Sequence, residues 1–184
     1  MKLPDGFSIR LATTEPERRS VFQLRYEINV LDLQDHRYTV ENTREWRDAL
    51  DELPSTRLLM LCHEENLIGT QRWVPRADSP FLQDALYDLE GFAAKEAISL
   101  EALYRVSVLA DRAVLLKAYR GTGIYAHLTE FGVGLARAAQ FKYAFGAVAS
   151  DNPTAVRAQI KQGFEPYLTQ RYLNKDWACL CRRL

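Results

Sequence analysis

Six consecutive residues, Arg120-Gly121-Thr122-Gly123-Ile124-Tyr125, put a cation and two glycines where an apolar helical period begins. Glycines this close together remove Cβ crowding, so several backbone N–H groups can turn toward one point. Ile124, Leu128, Phe131, Leu135 and Ala138 then fall on one helical stripe. Unpaired N–H groups and the helix dipole both favour negative charge, so this turn is predicted to hold a phosphate or pyrophosphate with Arg120 as its charged partner. Two acidic sites also carry potential chemistry. Asp48-x-x-Asp51 lies in a polar, aperiodic stretch and reads either as a pair that binds a substrate ammonium or, more economically, as solvated loop acids. Glu101 stands four residues before Arg105 in a segment read as a mostly apolar strand, Ser99 to Leu109. Burial there would raise its pKa toward neutrality, and an ion pair with Arg105 is its competing role. Ser107 lacks the surroundings of a nucleophile elbow, and His127 reads as a surface or capping histidine. Cys62, Cys179 and Cys181 read as reduced thiols packed like small hydrophobes; they offer no metal set, and no metal is expected.

The elements that must position these groups follow from local patterns. Phe7, Ile9 and Leu11 alternate as a strand. Thr14 with Glu17 forms a capping box, and Pro16 suits the first turn of a helix that aligns Val21, Leu24, Ile28 and Leu31. Residues 33–54 read as a loop or short helices anchored by Trp46. Thr56 to His63 and Leu67 to Val74 form a hairpin around Glu64-Glu65-Asn66. Phe81 to Ala97 is weakly helical, with Phe81, Ala85, Leu89 and Phe92 near one face. After the glycine turn and its helix, Tyr143 to Ala149 is a strand of small residues. Asn152 and Pro153 then cap and open a helix that Gly163 ends. Phe164 to Tyr172 and Trp177 to Leu180 close the chain as a hairpin. The order is β-α-ββ-(α)-β-α-β-α-ββ: an α/β (mixed α+β) chain with a central mixed sheet of about seven strands and helices on both faces, in a single domain spanning residues 1–184.

Composition narrows the classes. The 184 residues include 47% hydrophobic and 26% charged side chains, an ordinary globular balance. Basic and acidic residues cancel at 24 each, so no bulk field favours nucleic acid or an anionic membrane. No apolar run reaches the length of a membrane span and no signal segment opens the chain, so a cytoplasmic protein is expected.

The element order, the R-x-x-G-x-G/A-type turn at Arg120 to Tyr125, and the later Asn152…Ala155…Gly163-Phe164 run resemble the GNAT superfamily of N-acyltransferases. The likeness covers about residues 100–167. It implies an acyl-thioester donor, with phosphate on the N–H groups of Gly121, Thr122, Gly123, Ile124 and Tyr125. Its pantetheine arm would run between the strands at 104–109 and 143–149, facing Asn152. Two positions depart from the family pattern: Tyr125 replaces the turn's final Gly/Ala, and Gln159 replaces a tyrosine that acts as general acid in many members. In the N-terminal half, Val21-Phe22-x-x-Arg25-Tyr26, Asp48-x-x-Asp51, Ile68-Gly69-Thr70-x-Arg72 and Glu101-x-x-x-Arg105 resemble the acyl-homoserine-lactone synthase and N-acyl amino acid synthase branch. That branch implies an acyl carrier protein as an alternative donor to acyl-CoA, and Lys117 and Arg112 are placed to thicken a basic mouth for it.

Amine attack on a thioester needs a base and an oxyanion donor. Glu101 is the expected base, and backbone N–H groups near Val106 and Val108 the expected oxyanion donors. Asp48, Asp51 and Arg105 are candidates for contact with the acceptor. The implied function is acyl transfer from acyl-CoA or acyl carrier protein to the amine of a small molecule, such as an amino acid, with no permanently bound cofactor. The alternative is a catalytically silent acyl-CoA or acyl-carrier sensor, which Tyr125 and Gln159 favour.

Overall fold

Thr14 starts the first helix where the capping box predicts. In the computed structural model, residues 2–33, 39–40, 43–79 and 84–184 are described, apart from the side chains of 84 and 85. The Thr14 side chain accepts from the Glu17 N–H, and the Glu17 carboxylate accepts from the Thr14 N–H, opening α1 (Glu15–Tyr26). The backbone N–H groups of Thr14 and Thr13 draw the Glu17 carboxyl down to about 2. α1 runs into a π-helical turn, Glu27–Asp32, in which the Leu33 N–H reaches back to the Ile28 carbonyl at 3.2 Å. That wider turn rotates Leu31 off the stripe formed by Val21, Leu24 and Ile28, and Leu31 is 63% exposed, contrary to the 3.6-residue expectation.

Seven strands form one mixed sheet, as expected, and their order in it is β1-β2-β3-β4-β5-β7-β6. The chain divides into two compact units, residues 1–73 with 112–132 and residues 74–111 with 133–184. In the first, β1 (Phe7–Leu11) pairs antiparallel with β2 (Arg57–His63), and β2 with β3 (Asn66–Pro75). Val21 and Phe22 of α1 pack on Leu58, Met60 and Cys62 of β2, while Leu24 and Ile28 meet Val114. Burying side chains of this size stabilises by roughly 1.5–3 kcal/mol each. The stretch expected to be a loop or short helices holds the buried anchor Trp46 and a 3-10 turn, Ala49–Glu52; residues 34–38 and 41–42 lie outside the described residues. α5 (Ile124–Ala138) starts in this unit and lies directly on a sheet residue: a Cβ built on Gly132 would come 2.2 Å from the Trp73 indole.

In the second unit the weak helix of 81–97 is two short ones, α2 (Asp84–Tyr87) and α3 (Leu89–Lys95). Leu89 and Phe92 are buried as expected, whereas Phe81 and the side chain of Ala85 lie outside the described residues. The expected strand from Ser99 begins instead as a helix, α4 (Leu100–Arg105), and β4 (Ser107–Leu115) starts later. Ser99 is its N-cap, accepting from the Ala102 N–H at 3.1 Å, and Leu103 is its buried contact.

β5 (Tyr143–Ala149) pairs antiparallel with β7 (Lys175–Arg183), which pairs with β6 (Glu165–Tyr172). α6 (Pro153–Lys161) has Asn152 as N-cap, as expected, and gives way to Gly163. Phe92, Phe145, Tyr143, Tyr167 and Tyr87 form an aromatic cluster with ring centroids 4.9–6.4 Å apart. Tyr167 sits where the β6–β7 register shifts, and its hydroxyl donates to the Tyr87 carbonyl at 2.6 Å. The three cysteines are free and buried; burial pushes the Cys179 thiol up to about 11 and that of Cys181 up to about 12.

Candidate functional site

The glycine turn has the conformation its sequence requires. Gly121 and Gly123 take positive φ values of 80° and 83°, and a Cβ at either would meet nothing within 4 Å, so open space surrounds the backbone. Thr122 braces the turn from within: its hydroxyl donates to the Tyr119 carbonyl at 2.8 Å and accepts from the Ile124 N–H at 3.4 Å. Ile124 is buried, fixing the first turn of α5, while Gly121, Thr122 and Gly123 face solvent. The Arg120 Nε–H is used on the Leu115 carbonyl at 2.9 Å, and a terminal nitrogen lies 3.9 Å from Asp32. Its side chain is 43% exposed, so an arriving anion can reach it. The Tyr125 hydroxyl accepts from Gln71 Nε2 at 3.1 Å. The residue that replaces the family pattern's Gly/Ala is thereby anchored on β3.

In the same unit, Asp48 and Asp51 are neither solvated loop acids nor a ready ammonium site. They form a capping box on the 3-10 turn and meet three arginines. Asp51 lies 2.8 Å from Arg25 and 3.0 Å from Arg72, all three side chains fully buried. Asp48 lies 2.5 Å from both Arg72 and Arg112. Arg112, expected at a basic mouth, is instead part of this cluster, its guanidinium 4.6 Å from the Trp46 ring centroid. Burial opposes the charge of each aspartate, but the Arg72 and Arg112 guanidiniums hold Asp48 well below the usual carboxylate range, and Arg25 and Arg72 hold Asp51 down. The sequence separations, 64 residues from Asp48 to Arg112, left no local signal by which to find the network.

The second unit corrects the catalytic expectations. Glu101 is on helix α4, not on a strand, and its side chain is 76% exposed. It pairs with Arg105 at 2.5 Å, four residues on along the helix, and lacks the burial expected of it. Arg105 is likewise exposed and serves as that partner. Val106 caps α4: its N–H bonds back to the Leu103 carbonyl, and its carbonyl accepts from Lys142 and Tyr143, so it offers no oxyanion donor. Val108 lies inside the parallel β4–β5 register, which runs from Ser107↔Tyr143 to Leu109↔Phe145 and ends there. β5 continues on β7 as far as Ala149↔Trp177. Strand edges beyond such an ending are backbone surfaces that an extended, amide-bearing chain can pair with. Asn152 Oδ1 is engaged in capping, at 3.1 Å from the Ala155 N–H, and Gln159 is half-buried on α6. The signal that would have found α4 is Ser99 ahead of the Leu100, Leu103 and Tyr104 spacing. Among the described residues no group of three His, Cys, Asp or Glu side chains is placed to hold a metal, and no helix is long and apolar enough to cross a membrane.

No protein-family model and no curated protein matches the chain. Solved structures do. A CoA-dependent acyl-homoserine lactone synthase, BjaI, superposes with a TM-score of 0.72 at 14% identity, over 96% of this chain and 82% of that one. FeeM, an N-acyl amino acid synthase from uncultured soil microbes, gives 0.70 at 13% identity over 96% and 90%. A GCN5-related N-acetyltransferase from Kribbella flavida gives 0.66 at 16% identity over 98% and 99%. With its strand order, its glycine turn at the start of α5 and these superpositions together, the chain has the GNAT fold.

Proposed function

We propose that this chain is an N-acyltransferase, a single domain that takes an acyl group from an acyl-thioester donor and delivers it to the amine of a small molecule. The observation that carries this reading is the turn at Gly121 to Gly123: positive φ at both glycines, open space around them, and the reachable Arg120 at the head of α5. A phosphate there would meet backbone N–H groups and the helix dipole together. Acyl-CoA is the donor supported by the CoA-dependent synthase among the superposed structures. Acyl carrier protein is the alternative, and an amino acid is the acceptor class suggested by the likeness to an N-acyl amino acid synthase.

The exposure of Glu101 removes the carboxylate expected as base, and Gln159 supplies no phenolic acid. Amine deprotonation is then left to a water or to the amine's own free-base fraction. The same two observations support a second reading, a donor-binding sensor without turnover. Release of free thiol from a panel of acyl-CoA donors in the presence of amino acids and other amines separates the two. Amine-dependent thiol release establishes the transferase; CoA binding without release across the panel establishes the sensor.

A further inference from the structure

Inside the turn the Thr122 hydroxyl braces the backbone, but nothing packs within 4 Å of where side chains at Gly121 or Gly123 would begin. Further support lies on either side. Tyr119 and Tyr125 bracket Arg120 to Ile124, and each sends its hydroxyl to a side chain of the sheet. Tyr119 Oη lies 3.0 Å from Nδ1 of His63, at the end of β2. His63 stacks on Phe7 of β1 at 4.4 Å and 17°, and the Tyr119 ring stands edge-on to both. Through its carbonyl, Tyr119 also receives the Thr122 hydroxyl, which ties this anchor to the turn. On the far side Tyr125 Oη accepts from Gln71 Nε2 at 3.1 Å, and Gln71 Oε1 accepts from Trp73 Nε1 at 3.1 Å. An indole nitrogen only donates, so Trp73 fixes which end of the Gln71 amide faces Tyr125. Gln71 and Trp73 are both buried.

We infer that Tyr119 and Tyr125 are positioning residues: two phenol clamps, one on His63 and one on Gln71, that hold the glycine turn ready for the donor's phosphate. The inference rests on the reading of that turn as the donor-phosphate site. A glycine turn left unclamped would be ordered only on binding, and that entropy would be lost from affinity. The clamps do this ordering in advance, so removing either hydroxyl weakens donor binding without touching the chemical step. Tyr125, which departs from the Gly/Ala of the family pattern, is in this account an anchor for the turn.

The test uses the full chain with CoA and 4′-phosphopantetheine as probes in isothermal titration calorimetry, alongside steady-state kinetics and thermal melting. Arg120→Ala reports on the donor-phosphate reading, while Tyr119→Phe, Tyr125→Phe, Gln71→Met and the Tyr125→Phe/Gln71→Met pair report on the clamps. Each single clamp variant is expected to weaken probe binding and raise donor KM about three- to tenfold, the scale of one lost hydrogen bond, with kcat and acceptor KM within twofold. The Tyr125/Gln71 pair should be no worse than either single change. If Arg120→Ala weakens binding and both tyrosine variants do not, the clamps are refuted and the phosphate site stands. If Arg120→Ala leaves both probes unaffected, or neither probe binds the wild-type chain, the phosphate reading fails and the clamps fall with it. If Tyr125→Phe weakens binding but Gln71→Met does not, the hydroxyl acts on the donor directly and its positioning role is overturned.

Discussion

Two regions of the first unit handle positive charge in opposite ways. In the aspartate cluster, Arg25 and Arg72 are fully buried and each is closed onto a carboxylate; their charge is committed to the fold. At the glycine turn Arg120 is half out in water, held through one nitrogen to a carbonyl, with the Asp32 carboxylate at 3.9 Å. Buried ion pairs cost much to desolvate and are costly to break, whereas an exposed pair contributes little to stability. The same residue type is thus structural in one place and available to a ligand in the other. Burial and the completeness of pairing decide which.

Arg72→Met should have the largest effect. It takes one of two arginine partners from each aspartate, leaving Arg25 on Asp51 and Arg112 on Asp48, and losing one partner of a buried network costs about 3–5 kcal/mol. For a chain of this length the melting temperature should fall by roughly 6–20 °C. A drop under about 2 °C would mean that water replaces the guanidinium at little cost. Acid should attack the same cluster. The folded-state pKa values of Asp48 and Asp51 lie below those of the unfolded chain. Their stabilisation is therefore full above the unfolded value near about 3.9 and is lost as pH falls through the folded values. Melting followed from pH 7 downward should stay level to about pH 4 and then decline, with a shallower decline in Asp48→Asn.

Arg120→Ala should do the reverse: about tenfold or more in donor KM, the scale of a lost charge-assisted contact, with the melting temperature unchanged within about 1 °C. A large loss of stability in this variant would erase the contrast between the two regions. Gly132→Ala brings a methyl against the Trp73 ring and should cost about 1–3 kcal/mol in chemical denaturation. Glu101→Gln should change least. Its pair with Arg105 is exposed, so stability should move by no more than about 0.5 kcal/mol and the acid limb of the pH–rate profile should persist. A flattened limb would restore Glu101 as the base.

What the sequence disclosed follows the range of the interactions involved. The Thr14–Glu17 box, the Asn152-Pro153 start and the glycine turn are each written within a few residues, and each is found where expected. The segment at 99–106 misled because Leu100, Leu103 and Val106 suit an apolar strand nearly as well as a helix; the Ser99 cap decides it. Leu31 escaped its stripe because a π-helical turn has no residue signature comparable to a cap. The aspartate cluster was hidden for a different reason. Its partners come from α1, the 3-10 turn, β3 and β4, and no local period records that they meet.

The burial of the three cysteines bears on the chemistry proposed here. An accessible thiolate in a protein that binds thioesters would exchange with its own donor, leaving the acyl group on the protein. At pH 8 a thiol of pKa near 11 is ionised to only about one part in a thousand, and Cys181 sits higher still, with Cys62 also raised by burial. None of the three is presented to solvent. The folded chain is therefore resistant to acylation by its proposed substrate, and a thiol-reactive dye added to the reaction would report released donor thiol with little background from the protein.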